Sequence, residues 1–139
     1  MKYGGLILEK KEYVYLKRIL NISGYVGDHQ IQKCLTTLSE ELKTANIEDE
    51  EKMPKDVIRF NSKVTVVFEN GTEKIIQVVI PTDKDLSKNK ISILTPMGSA
   101  LIGYSKGDTI LWDFPLGKQQ LKIKEVIQEK IFSDIDLVI

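Results

Sequence analysis

The run Ile91-Ser92-Ile93-Leu94-Thr95-Pro96-Met97-Gly98-Ser99-Ala100-Leu101-Ile102-Gly103 constrains the fold more than any other part of this chain. Its front, residues 91–94, is short, apolar and rich in β-branched side chains, which suits a buried strand. Pro96 offers no N–H to a strand ladder, so it is expected to stop that strand and open a turn. Ser99, Ala100, Leu101 and Ile102 then supply about one helical turn. Gly103 closes it, where a left-handed cap needs a residue without a Cβ. Lys106-Gly107-Asp108 reads as a tight turn, after which Thr109, Leu111 and Asp113 alternate with Ile110, Trp112 and Phe114. The order is strand, turn, short helix, turn, strand.

Strand signals flank this stretch on both sides. Val64, Val66 and Phe68 alternate with Thr65 and Val67 over residues 63–68. Asn70-Gly71 is a strong hairpin signal leading into a second strand over 73–80, which Pro81 stops. Charges and turn formers make 82–90 a loop, and Leu121, Ile123 and Val126 mark a last strand over 120–127. Together these predict a small antiparallel sheet wrapped on a short helix.

The first third of the chain has a helical period instead. Tyr13, Leu16 and Leu20 recur on one face of a helix over 9–20, which would be about 18 Å long. Two glycines and small polar residues break the pattern over 21–27, and Asp28 can cap a second helix over 29–45 with Ile31, Cys34, Leu35, Leu38 and Leu42 as its stripe. Two such helices predict a short antiparallel hairpin with Tyr25 and Asp28 at its tip. The acidic segment 46–53, with Glu48, Asp49, Glu50 and Glu51, reads as a solvated linker; the alternative is a displaced acidic cluster acting on a metal or a basic partner.

Twenty basic residues balance twenty acidic ones, so the global charge does not favour a nucleic-acid backbone as the main partner, and a protein partner is expected. Cys34 has no second cysteine to pair with and reads as a small buried hydrophobe in a reducing cytoplasm. The apolar run near the start is cut short by Glu9-Lys10-Lys11-Glu12, too early for a signal peptide, and no stretch approaches the roughly 20 apolar residues of a membrane span. No phosphate-cradling glycine loop, zinc set or nucleophile with a base and an orienting group is present in the sequence. His29, the one histidine, falls in the first turn of a helix and reads as a surface residue. The expectation is therefore no catalytic residue, no metal and no cofactor.

The run from 91 to 103, with Gly107-Asp108 and Pro115-Leu116-Gly117 beyond it, resembles the signature of the C-terminal domain of the Gre transcript-cleavage factors. Met53-Pro54-Lys55-Asp56-Val57-Ile58 with Asn61-Ser62-Lys63-Val64 is similar to the start of that domain in the Rnk family, the regulators of nucleoside diphosphate kinase, in which a shorter hairpin precedes it. The resemblance covers residues 53–127 and implies an α+β chain. A short helical hairpin, or short coiled coil, would occupy 1–50, and an FKBP-like antiparallel β-sheet domain with an apolar tail would occupy 51–139.

The resemblance also implies a non-catalytic transcription regulator that binds RNA polymerase at the rim of its secondary channel, on a coiled coil of the beta-prime subunit, and competes with Gre cleavage factors. DNA would be reached only through polymerase. Leu94, Thr95, Pro96, Met97 and Gly98 are the contact residues it implies. In Gre factors the hairpin is a long coiled coil whose acidic tip helps hold a catalytic magnesium ion; here the predicted hairpin is short and its turn offers one carboxylate, Asp28. Cleavage factors carry Asp or Asn where this chain has Leu94, and serine where it has Thr95, whereas the Rnk family is similarly apolar there. Two other readings stay open: an interaction module for another partner, using the hairpin or tail, and a prolyl isomerase by fold analogy, against which the scattered aromatics count. The apolar segment 131–139 either packs back on the hairpin or sheet or makes a dimer contact; packing, and a monomer, is the expectation.

Overall fold

Along Ser62–Val67 (β3) every second residue, Ser62, Val64 and Val66, is buried while Lys63 is exposed, the pattern of a strand with one face on a core. The computed structural model describes residues 3–23, 29–114 and 117–128. β3 lies at the centre of a five-stranded sheet ordered β5-β4-β3-β7-β6, with β4 at Glu73–Val79, β5 at Lys90–Ser92, β6 at Thr109–Phe114 and β7 at Gly117–Gln128. The hairpin signal is realised as a tight turn: Phe68 N–H donates to Thr72 O, Gly71 N–H to Phe68 O, and Thr72 N–H to Asn70 Oδ1. β3 pairs antiparallel with β4 and β7, and its register with β7 shifts between Thr65 and Val66, the mark of a bulge.

Two helices, α1 at Lys10–Ser23 and α2 at His29–Leu42, precede the sheet, and a third, α3 at Pro96–Leu101, lies between β5 and β6. Leu16, Ile19 and Leu20 of α1, Leu35, Leu38 and Leu42 of α2, and Leu101 of α3 join Val64, Val66, Ile76, Val78, Leu121 and Ile123 of the sheet in one buried cluster. The period of α1 and α2 is thus the period of their contact with the core. The opposite sheet face carries the exposed residues Lys63, Ile75, Leu111, Lys122 and Ile127.

Several expectations are corrected. The sheet is mixed, because β5 runs parallel to β4, with Gln77, Val78 and Val79 opposite Lys90, Ile91 and Ser92. The connection over 80–89 folds through two short 3-10 turns, Pro81–Asp83 and Leu86–Lys88, and so brings the chain back to enter β5 in the direction of β4. The apolar start is also used: Ile7–Glu9 forms β1, paired in parallel with β2 at Asn46–Glu48, inside the segment expected to be a solvated linker. Pro96 opens α3 rather than a turn, because its missing N–H and fixed φ suit the first helical position, and the strand has already ended at Ser92. Cys34 is half-buried. The expected tip residues Tyr25 and Asp28, and the tail 131–139, lie outside the described residues.

Candidate functional site

The residues between β5 and α3 are held by a set of short polar contacts. Thr95 caps α3: its Oγ1 accepts from Gly98 N–H at 3.1 Å and donates to Ser92 O at 2.7 Å. The Ser92 hydroxyl, itself buried, accepts from Leu94 N–H at 3.0 Å, and Thr95 N–H donates to Ser92 O at 3.0 Å. Ser99 Oγ returns to Pro96 O at 3.0 Å. The backbone from Ser92 to Ser99 is therefore fixed from both ends.

Within that frame Leu94, Thr95, Pro96 and Met97 are half-buried and Gly98 is buried. Leu94 and Met97 each turn part of their side chain onto the core cluster and leave the remainder at the surface. The five residues expected as a contact do lie together, and four of them reach the surface. Gly98 is there for its backbone: a Cβ would collide with the Ser92 carbonyl oxygen and stand 3.1 Å from Ile93 Cα. Replacing Thr95 with alanine is expected to lower stability by about 1 kcal/mol, with serine retaining most of it, as read by urea denaturation.

A second polar centre has no counterpart in the sequence reading. Arg59 is 7% exposed, yet its Nε donates to Glu12 Oε2 at 2.7 Å while Nη1 and Nη2 bind the two Glu50 oxygens at 2.7 Å each. Glu12, only 2% exposed on α1, also accepts the Phe60 amide at 3.0 Å, and Glu9 accepts the amides of Lys11 and Glu12 at the helix start. Burial pushes the Glu12 carboxyl up to about 7, against the charge and hydrogen bond of Arg59. The Arg59 hydrogen bonds hold Glu50 below the usual carboxylate range. Although burial opposes it, the hydrogen bonds and charges of Glu50 and Glu12 hold the Arg59 guanidinium above its ordinary value. Tyr104, just past α3, donates to Glu41 of α2 at 2.9 Å, and burial raises both groups. These contacts tie each helix to the sheet side and leave no carboxylate pair facing a substrate-sized cleft.

Residues 53–128 match the family model for the C-terminal domain of the GreA/GreB transcription elongation factors. The chain belongs to that family. GreA from Bradyrhizobium diazoefficiens is 36% identical over 93 residues, 66% of this chain and 59% of that protein. The regulator of nucleoside diphosphate kinase from Escherichia coli K12 is 36% identical over 83 residues, 58% of this chain and 60% of that protein. The chain thus spans about three-fifths of the length of these curated relatives. A solved GreA/GreB elongation factor from Nitrosomonas europaea superposes with a TM-score of 0.71 at 32% identity, covering 88% of this chain and 98% of that one.

Set beside the GreA/GreB signature, the Ser92–Ser99 frame lies wholly inside the matched region, and so does Arg59, whereas its partners Glu12 and Glu50 lie outside it. The Arg59 cluster was not legible because alternation around Ile58 and Phe60 directs residue 59 outward, and its partners lie 47 and 9 residues away. One weak signal existed: an arginine standing between two core residues. No group of three or more His, Cys, Asp or Glu among the described residues is arranged to hold a metal ion, and no described helix is long and apolar enough to cross a membrane.

Proposed function

We propose that this GreA/GreB-family chain is a non-catalytic transcription regulator that docks on RNA polymerase through Leu94, Thr95, Pro96, Met97 and Gly98. The docking point is the beta-prime coiled coil at the secondary-channel rim, where the chain competes with cleavage factors. One observation carries the reading: a proline-opened, Thr95-capped turn held by Ser92, with Leu94 and Met97 part-exposed on it. A surface already fixed in this way loses little conformational freedom on docking, and a methionine adapts to an apolar partner.

In this reading 1–50 is a hairpin arm and 51–139 an FKBP-like body. α1 and α2 have 14 residues each, about 21 Å of helix, and the turn between them contributes Asp28 as its one carboxylate. An arm that short and that weakly acidic occupies the channel mouth without delivering a metal-holding pair to the polymerase active site. The reading is supported by family membership and by relatives named as transcription elongation factors.

The test is binding of the purified chain to RNA polymerase of its own species, with and without the beta-prime rim coiled coil. Pro96→Ala combined with Met97→Ala is expected to weaken binding at least tenfold while the circular dichroism spectrum is unchanged. Equal binding by the double variant, or binding that survives removal of the rim, overturns the assignment.

A further inference from the structure

A second surface, separate from the docking turn, has the features of a ligand site. Between the Leu86–Lys88 turn and the outer side of β4 lies an open cavity of about 180 Å³, lined by Lys63, Ile75, Ile76, Gln77, Lys88 and Asn89. Two lysines, two amides and no carboxylate make up its polar lining. The nearby Asp85 is turned into its own loop, where Oδ1 accepts from the Ser87 amide at 3.1 Å and the Ser87 hydroxyl at 2.5 Å.

The backbone behind the cavity is strained at two places. Asn61 and Asn89, with φ of 73° and 56°, are the non-glycine residues with positive φ among the described residues, and such conformations gather where a ligand is held. Gln77 bridges the two: its backbone N–H donates to Asn89 O at 2.9 Å and its side-chain Nε2 to Asn61 O at 2.8 Å. Asn61 is 7% exposed, and its Nδ2 is a buried donor with no hydrogen-bond partner among the described residues. Buried donors are paired as a rule, so an orphan beside a cavity lined with further donors marks a place where an acceptor fits.

We propose that this cavity binds a small phosphate-bearing anion. Lys63 from the strand side and Lys88 from the turn side match the double charge of a phosphate monoester, whose several oxygens can also accept from the amides. The exposed Ile75 offers an apolar seat for the ligand's organic part.

The probes are inorganic phosphate and ribose 5-phosphate, titrated at constant ionic strength into the isotope-labelled chain and followed by NMR, with ribose and sodium chloride as controls. Saturable shifts are expected at the Gln77 and Asn89 amides and at the Asn61 side-chain amide, with ribose 5-phosphate binding more tightly than phosphate. Lys63→Gln with Lys88→Gln, on a chain shown to be folded, is expected to weaken binding at least tenfold. Shifts that do not saturate, that follow salt alone, or that persist undiminished in the double variant overturn the site. Shifts produced by a single-stranded oligonucleotide and by neither small probe assign the lysines to a polymer backbone and overturn the small-ligand reading. None of these outcomes depends on whether the Pro96 turn binds polymerase.

Discussion

Replacing Arg59 with alanine is expected to destabilise the chain by about 4 kcal/mol, which for a chain of this size is a fall of roughly 15 °C in melting temperature. The cause is what the substitution leaves behind. Glu12 is 2% exposed and its Oε2 takes two of the guanidinium nitrogens at 2.6 and 2.7 Å; without them a carboxylate stays in the core with only the Phe60 amide for company. Glu50 is 38% exposed at its side chain and can be hydrated, so it contributes less to the loss. Arg59→Met combined with Glu12→Leu removes both buried charges and is expected to recover most of the stability. Thermal denaturation of the three proteins decides the matter, and a single Arg59→Ala variant within 1 kcal/mol of the parent would show that the buried pair is not held as described.

The same carboxyl gives a pH signature. The folded Glu12 binds its proton more tightly than the unfolded one, since burial raises it from 4.5 to about 7. Its contribution is fully present below about pH 4.5 and is lost as pH rises toward 7. Glu50, held low by Arg59, acts in the opposite sense and only as pH falls below the ordinary carboxylate range. Between pH 5 and 7.5 the parent chain is therefore expected to lose stability relative to Glu12→Gln as pH increases. Parallel melting curves for the two proteins across that window would contradict this.

Gly98→Ala carries the second large effect, an expected loss of about 3 kcal/mol together with at least a tenfold loss of polymerase binding. The new methyl meets the Ser92 carbonyl oxygen and lies 3.1 Å from Ile93 Cα, and both are backbone. Neither can step aside easily: β5 is paired to β4 through Ser92, Ile93 N–H donates to Val79 O at 3.0 Å, and Ser92 O already receives the Thr95 amide and hydroxyl. α3 must move instead, and Pro96 and Met97 move with it. Ala100→Gly, two residues on in the same helix, removes a methyl and is expected to cost only about 1 kcal/mol. Urea denaturation of both variants separates a steric clash from ordinary helix propensity; equal small losses would show that residue 98 has room for a side chain.

The strands around Asn70-Gly71 and the two long helices were legible because each is announced by a local period or a turn-forming pair. Pro96 shows the limit of such rules. A proline after an apolar run signals an end to pairing, and it signals equally the first residue of a helix; Thr95, which caps that helix through Gly98 N–H, decides between them. The acidic segment shows a different limit. Glu48 and Glu50 looked like solvated surface, yet one lies in a strand paired with residues 7–9 and the other binds Arg59. The candidate contact residues were named from the resemblance, and their packing, with Leu94 and Met97 half on the core, came from the fold.

By itself the sequence determined the mixed helix and strand content, the family, the hairpin turn and the place of the short helix. These rest on neighbours within a few residues, whose preferences act before any tertiary contact forms. Only the tertiary structure decided the parallel entry of β5, the β1–β2 pair, and the burial of Glu12 with Arg59. Each joins groups far apart in the chain, and a pattern read over ten residues holds no information about which distant carboxylate will neutralise a buried guanidinium.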